Sequence, residues 1–94
     1  MGNRVSEKAI ETALARGITA IGGICWKWPA SARAGVPDRI VIVDGRVWFV
    51  ELKRSGGELR PVQVAVHNQL MVAGANVVVL SSRQEVEEFL RCLK

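Results

Sequence analysis

Arg39-Ile40-Val41-Ile42-Val43, then Asp44-Gly45, then Arg46-Val47-Trp48-Phe49-Val50 is the stretch that decides the fold. Two runs rich in β-branched and aromatic residues flank Asp-Gly, a dipeptide that readily takes positive φ at both turn positions, so an antiparallel hairpin is expected. With a two-residue turn Val43 pairs with Arg46, and counting outward sets Asp38 opposite Glu51. Directly opposed side chains in such a pair have Cβ atoms roughly 4.5 to 5.5 Å apart on one face. Lys53, two residues beyond Glu51, falls on that face as well.

Working outward, Ile24 to Trp28 has the two-residue period of a strand, and Pro29 ends it. A loop follows to Val36, with Arg33 and Gly35 in it. Before the strand, residues 5–16 predict an amphipathic helix with Ile10, Ala13 and Leu14 as its stripe and Gly17 as its stop. After the hairpin, Ser55-Gly56-Gly57-Glu58 reads as a turn. Pro61 opens a helix to about Ala73, closed by Gly74, with Val62, Val66 and Leu70 as its buried edge. Asn76 to Leu80 has the apolar run of a strand covered on both faces. Ser82-Arg83-Gln84-Glu85 is a capping box opening a last helix, from which Val86, Phe89, Leu90 and Leu93 face inward. The order α-β-β-β-α-β-α predicts an α/β fold, a central mixed sheet flanked by helices, in one domain spanning 1–94.

The totals agree with one small domain. Ninety-four residues suffice for one core, and with 49% hydrophobic but only 5% aromatic residues that core must rest on aliphatic side chains. The formal charge of +4 suits a polyanionic partner without proving one. Cys25 and Cys92 lack metal-ligand spacing and read as reduced thiols in buried segments of a cytoplasmic protein. No apolar run is long enough for a secretory signal or a spanning helix, so a soluble chain is expected.

Two carboxylates facing one spot repel unless something positive lies between them, and a hard divalent cation with oxygen ligands is the simplest candidate. A Lys53 ammonium beside them would orient a water or stabilise charge developing on a phosphate. The ordinary explanation for charges at strand ends is a solvated surface or a cross-strand ion pair, and a bulge at the turn would break the register altogether. Against it, Glu51 and Lys53 interrupt an otherwise apolar strand where it leaves the core.

Gly35-Val36-Pro37-Asp38-Arg39, Phe49-Val50-Glu51-Leu52-Lys53 and Pro61-Val62-Gln63 together resemble the VRR-NUC branch of the PD-(D/E)XK nuclease superfamily, over nearly the whole chain. The resemblance implies a restriction-endonuclease-like fold and a Mg²⁺-dependent DNA endonuclease, with Mn²⁺ as substitute. It makes Asp38 and Glu51 the side-chain metal ligands, helped by the backbone carbonyl of Leu52, with Lys53 the catalytic lysine and Gln63 the motif glutamine. It also implies an acidic residue near the metal on the first helix, for which Glu7, on the edge of the apolar stripe, is the candidate; Glu11 reads as solvated. Standalone members resemble phage and bacterial replication, recombination or repair enzymes, several of them junction-resolving. Duplex or branched DNA is then the expected partner, a homodimer would suit a symmetric junction, and the place of action would be the cytoplasm of a bacterial or phage-infected cell.

Lys27, Arg33, Arg39, Arg54 and Arg60 lie in or beside the loops around this site and are the expected contacts to DNA phosphates. His67, one turn after Gln63, reads as a supporting group and not as the general base. Trp26 and Trp28 share a strand face with Ile24, which favours core packing or a dimer contact over base stacking, and Trp48 is a spare apolar residue for such a contact. Two other readings stay open at this point: a non-catalytic nucleic-acid-binding module, and a nuclease subunit active only with a partner.

Overall fold

A computed structural model describes residues 6–29 and 33–94. Val5, the first residue of the expected opening helix, and residues 30–32 of the expected loop lie outside the described residues.

The hairpin organises the rest. β2 (Arg39–Val43) and β3 (Arg46–Leu52) run antiparallel with Val43 opposite Arg46 and Arg39 opposite Val50. Asp44 at φ 55° and Gly45 at φ 79° both take the left-handed region, which a two-residue turn needs to match the strand twist. β1 (Ile24–Lys27) pairs antiparallel with β2, and β4 (Asn76–Leu80) pairs parallel with β3. The strand order is β1-β2-β3-β4. A parallel neighbour cannot be reached by a tight turn, so α2 (Pro61–Val72) makes the crossover from β3 to β4. Helices α1 (Glu7–Ala20) and α3 (Arg83–Leu93) complete the expected α-β-β-β-α-β-α order.

Alternation along the strands sorts side chains to two faces. Val41 and Val43 of β2, Val50 and Leu52 of β3 and Leu80 of β4 join Ile10, Leu14 and Ile18 of α1 and Val86, Phe89 and Leu93 of α3 in one core. Trp48 meets Phe89 edge to face at 5.2 Å, so it is committed to this core and is not the spare contact residue expected. The second face carries Ile24, Trp26, Ile40, Ile42, Val47 and Phe49. It is more open, with Ile24 and Val47 each 39% exposed and Trp26 64% exposed, which removes core packing as the role of Trp26.

Four details depart from expectation. Gly17 does not stop α1; the helix, capped by the Ser6 hydroxyl accepting from the Ala9 N–H at 3.2 Å, continues to Ala20. A Cβ on Gly17 would sit 2.3 Å from a Leu90 methyl, so the glycine serves close approach of α1 to α3. The buried edge of α2 is Gln63, Val66 and His67, with Val62 40% exposed, because the helix is rotated to turn two polar residues toward the end of β3. β4 is an edge strand with Val79 36% exposed, not a strand covered on both faces. Cys92 is exposed and only Cys25 is partly buried; both thiols are free. The cap of α3 holds, with the Ser82 hydroxyl accepting from Glu85 N–H at 3.0 Å, while the Glu85 carboxylate reaches back to the N–H of Ser81 at 2.7 Å. Among the described residues no helix is long and apolar enough to cross a membrane.

Candidate active site

The β2–β3 pairing ends at Arg39 opposite Val50, and Asp38 and Glu51, the next residue on each side, line one cavity. The backbone fixes Asp38 on two sides. Its carbonyl accepts from the Trp28 N–H at 2.9 Å, and its Oδ1 accepts from the Leu52 N–H at 3.4 Å. Its Oδ2 lies 2.7 Å from Nη1 of Arg39.

Glu51 is held differently. It is 5% exposed, and among the described residues its Oε1 has no hydrogen-bond partner. Nε2 of His67, on α2, lies 3.8 Å away and is also without a hydrogen-bond partner among the described residues. Burial, followed by the Asp38 charge, pushes the Glu51 carboxyl up to about 7, with Lys53 pulling the other way. Burial also raises Asp38, opposed by the Leu52 hydrogen bond, with the Glu7 charge adding to the rise. His67 is lowered by burial and by Lys53, which keeps its imidazole neutral at neutral pH.

A cavity of about 520 Å³ opens at this point, lined by Asp38, Glu51 and Gln63 together with Lys27, Arg33 and Arg60. Gln63 is tied down by its own helix start, its Oε1 accepting from the Arg60 N–H at 2.8 Å, which leaves its amide NH₂ for the cavity. Lys53 is half-buried where β3 ends, near enough for its charge to act on both Glu51 and His67. Glu7 is exposed at the start of α1, and its charge reaches Asp38, Glu51 and Arg39.

Arg39 parts from the expected phosphate contacts. Arg54 is exposed but lies outside the cavity lining. Arg39 is 3% exposed and turned inward, paired with Asp38 and with Glu11 of α1, so its guanidinium does not face a DNA backbone. Strand alternation carried that signal already, since position 39 shares the core-facing parity of Val41 and Val43. Glu11, expected in solvent, is correspondingly engaged, with Lys8 3.2 Å away on its other oxygen.

Among the described residues no three His, Cys, Asp or Glu side chains are gathered to hold a metal ion, so Glu7 does not close a cluster with Asp38 and Glu51. Two carboxylates nevertheless fit a hard cation. Among the described residues one Glu51 oxygen is buried without a hydrogen-bond partner, and the two carboxylates offer the oxygen donors a hard cation takes, with the Leu52 carbonyl, water or substrate left to complete the shell.

No family model matches the chain. A protein of Acyrthosiphon pisum secondary endosymbiont phage 1, named "Putative nuclease p44", is 39% identical over 80 residues, which is 84% of this chain and 86% of that protein. A solved structure described as a VRR_NUC domain superposes with a TM-score of 0.84 at 30% identity, covering 93% of this chain and 96% of that one. With its helix and strand order, its sheet and these relatives in agreement, the chain belongs to the VRR-NUC branch of the PD-(D/E)XK nuclease superfamily.

Proposed function

We propose that this nuclease is a Mg²⁺-dependent endonuclease that hydrolyses DNA phosphodiester bonds, on structured or branched DNA, in replication, recombination or repair. The observation that carries the reading is the buried, partnerless Glu51 oxygen set against Asp38 inside a cavity rimmed by Lys27, Arg33 and Arg60. Asp38 has the Arg39 guanidinium beside it, but the buried Glu51 oxygen has no hydrogen-bond partner among the described residues, and a cation held by Asp38, Glu51 and the Leu52 carbonyl would relieve the repulsion between the two carboxylates. Such a bound Mg²⁺, or Mn²⁺ in its place, supplies Lewis acidity toward a phosphate oxygen and a water of lowered pKa.

The chain's own groups do the rest. Lys27, Arg33 and Arg60 hold phosphates of the strand being cut, as point charges and forked donors in a partly enclosed space. Lys53, in the lysine position of the family pattern, donates a hydrogen bond to the attacking water or to a phosphate oxygen that gains charge. The Gln63 amide, fixed by its bond to the Arg60 backbone, orients whichever oxygen enters the cavity. His67 stays neutral and backs Glu51 from α2.

A homodimer accounts for the open sheet face. Ile24, Trp26 and Val47 present apolar surface with no charged side chain among them, as expected of a surface that another protein layer covers. Two copies related by a two-fold axis match the two symmetric cuts of a four-way junction.

A cleavage panel of linear, nicked, flapped and four-way DNA with Mg²⁺ or with chelator tests this reading. Wild type is expected to cut branched DNA only with metal, with losses of about 10²–10³-fold in Lys53→Ala and at least as large in Asp38→Ala. Binding without cleavage by wild type under both Mg²⁺ and Mn²⁺ indicates a binding module instead. Cleavage that appears only with a second protein added indicates a subunit of a larger nuclease.

A further inference from the structure

Arg39 is the costliest residue in the fold to explain by packing alone. Its neighbours on the same face of β2 are Val41, fully buried, and Val43, and a third aliphatic residue would continue that stripe. A guanidinium stands there instead, 3% exposed, under α1. Burying an ion pair generally stabilises a fold no better than apolar residues of similar volume, so its retention points to a task other than stability. Two carboxylates on different elements grip it: Glu11 of α1 through Nη2, and Asp38 through Nη1 at 2.7 Å. The contact to Asp38 is ionic, without the alignment of a hydrogen bond. The same positive charge acts across the site on Glu51, where it opposes the repulsion from Asp38.

We propose that Arg39, anchored by Glu11, is a positioning residue that fixes the Asp38 carboxylate for cation binding, so that α1 is coupled to the metal site through a buried ion-pair relay. The inference rests on the metal-dependent reading above and adds to it two residues whose role is orientation. Asp38 stands just outside the regular pairing of β2, and the Leu52 N–H restrains only one of its oxygens, at the long distance of 3.4 Å. The Arg39 fork restrains the other, and Glu11 in turn prevents the guanidinium from swinging away into the cavity. A lysine carries the charge but has no second planar donor to share between two carboxylates.

The test is Mn²⁺ binding to the DNA-free protein by titration calorimetry, with thermal unfolding in parallel, for wild type, Arg39→Met, Arg39→Lys, Glu11→Gln and Asp38→Ala. Folded Arg39→Met is expected to bind Mn²⁺ about tenfold more weakly or worse, as expected when a supporting partner of a ligand is lost. Glu11→Gln loses less in the same direction, and Arg39→Lys recovers part of the loss. Cleavage by Glu11→Gln is expected to need a higher Mn²⁺ concentration for its half-maximal rate than wild type does. A folded Arg39→Met with wild-type Mn²⁺ affinity overturns the relay; should that variant not fold, unchanged affinity in Glu11→Gln overturns it equally. Binding by wild type that is lost in Asp38→Ala but intact in both relay variants sinks only the relay. Absence of Mn²⁺ binding by wild type sinks the metal site and the relay together.

Discussion

The two faces of the sheet are built from the same alternating strands and end as opposites. Toward α1 and α3 the side chains close into a dry core around Ile10, Leu14, Val41, Val50 and Leu52, each essentially without solvent exposure. Toward α2 the strands remain apolar, with Ile40, Ile42 and Phe49, yet the covering helix presents Gln63 and His67 and reaches the end that bears Glu51. One face is closed by packing within the chain. The other carries a carboxylate pair and an apolar field that both call for something further. The proposed catalytic groups therefore sit where the fold is least self-sufficient, in keeping with the common trade of stability for activity.

The comparison is sharpest under truncation. Leu14→Ala, on the closed face, is expected to cost about 2–5 kcal/mol in urea unfolding, since it removes packed methyl groups and leaves a cavity. Trp26→Ala, on the open face, is expected to cost less than about 1 kcal/mol of monomer stability while shifting the oligomeric state toward monomer in light scattering. Equal costs at the two positions would break the distinction between the faces.

Acid–base behaviour gives an effect of intermediate size. The Glu51 carboxyl is raised from an ordinary 4.5 to about 7, so between those values the folded protein holds a proton that the unfolded chain has released. Stability of the metal-free protein therefore falls as pH rises through that window, by on the order of 2–3 kcal/mol from this group. Asp38, also raised, contributes with the same sign above its ordinary 3.8. His67, lowered from 6.5, acts oppositely, costing stability as pH falls below that value. Glu51→Gln is expected to unfold at higher temperature than wild type at pH 8 in chelator, with the gap closing toward pH 5. A gap that widens on acidification would contradict the assignment of Glu51 as the frustrated group.

Much of this was legible in the chain because it depends on short-range rules. Asp44-Gly45 specified a two-residue turn, the turn specified the register from Val43 opposite Arg46 to Arg39 opposite Val50, and Asp38 and Glu51 follow directly and line one cavity. What could not be read depends on contacts between remote segments. Gly17 has the look of a helix stop, and only Leu90, far along the chain, gives it a different purpose. The rotation of α2 that buries Gln63 and His67 in place of Val62 is set by the strand end beneath it. Arg39 is the instructive case: loop proximity suggested a phosphate contact, whereas the alternation of its own strand had already turned it toward Glu11.

The central claim, that Asp38 and Glu51 form a cation site, is tested most directly by metal-linked unfolding at pH 8. Mn²⁺ at a hundredfold excess over its dissociation constant should stabilise wild type by about 2.7 kcal/mol. It should leave Asp38→Ala and Glu51→Gln unmoved. A wild-type midpoint indifferent to Mn²⁺ and Mg²⁺, or an equal rise in all three proteins, would contradict it.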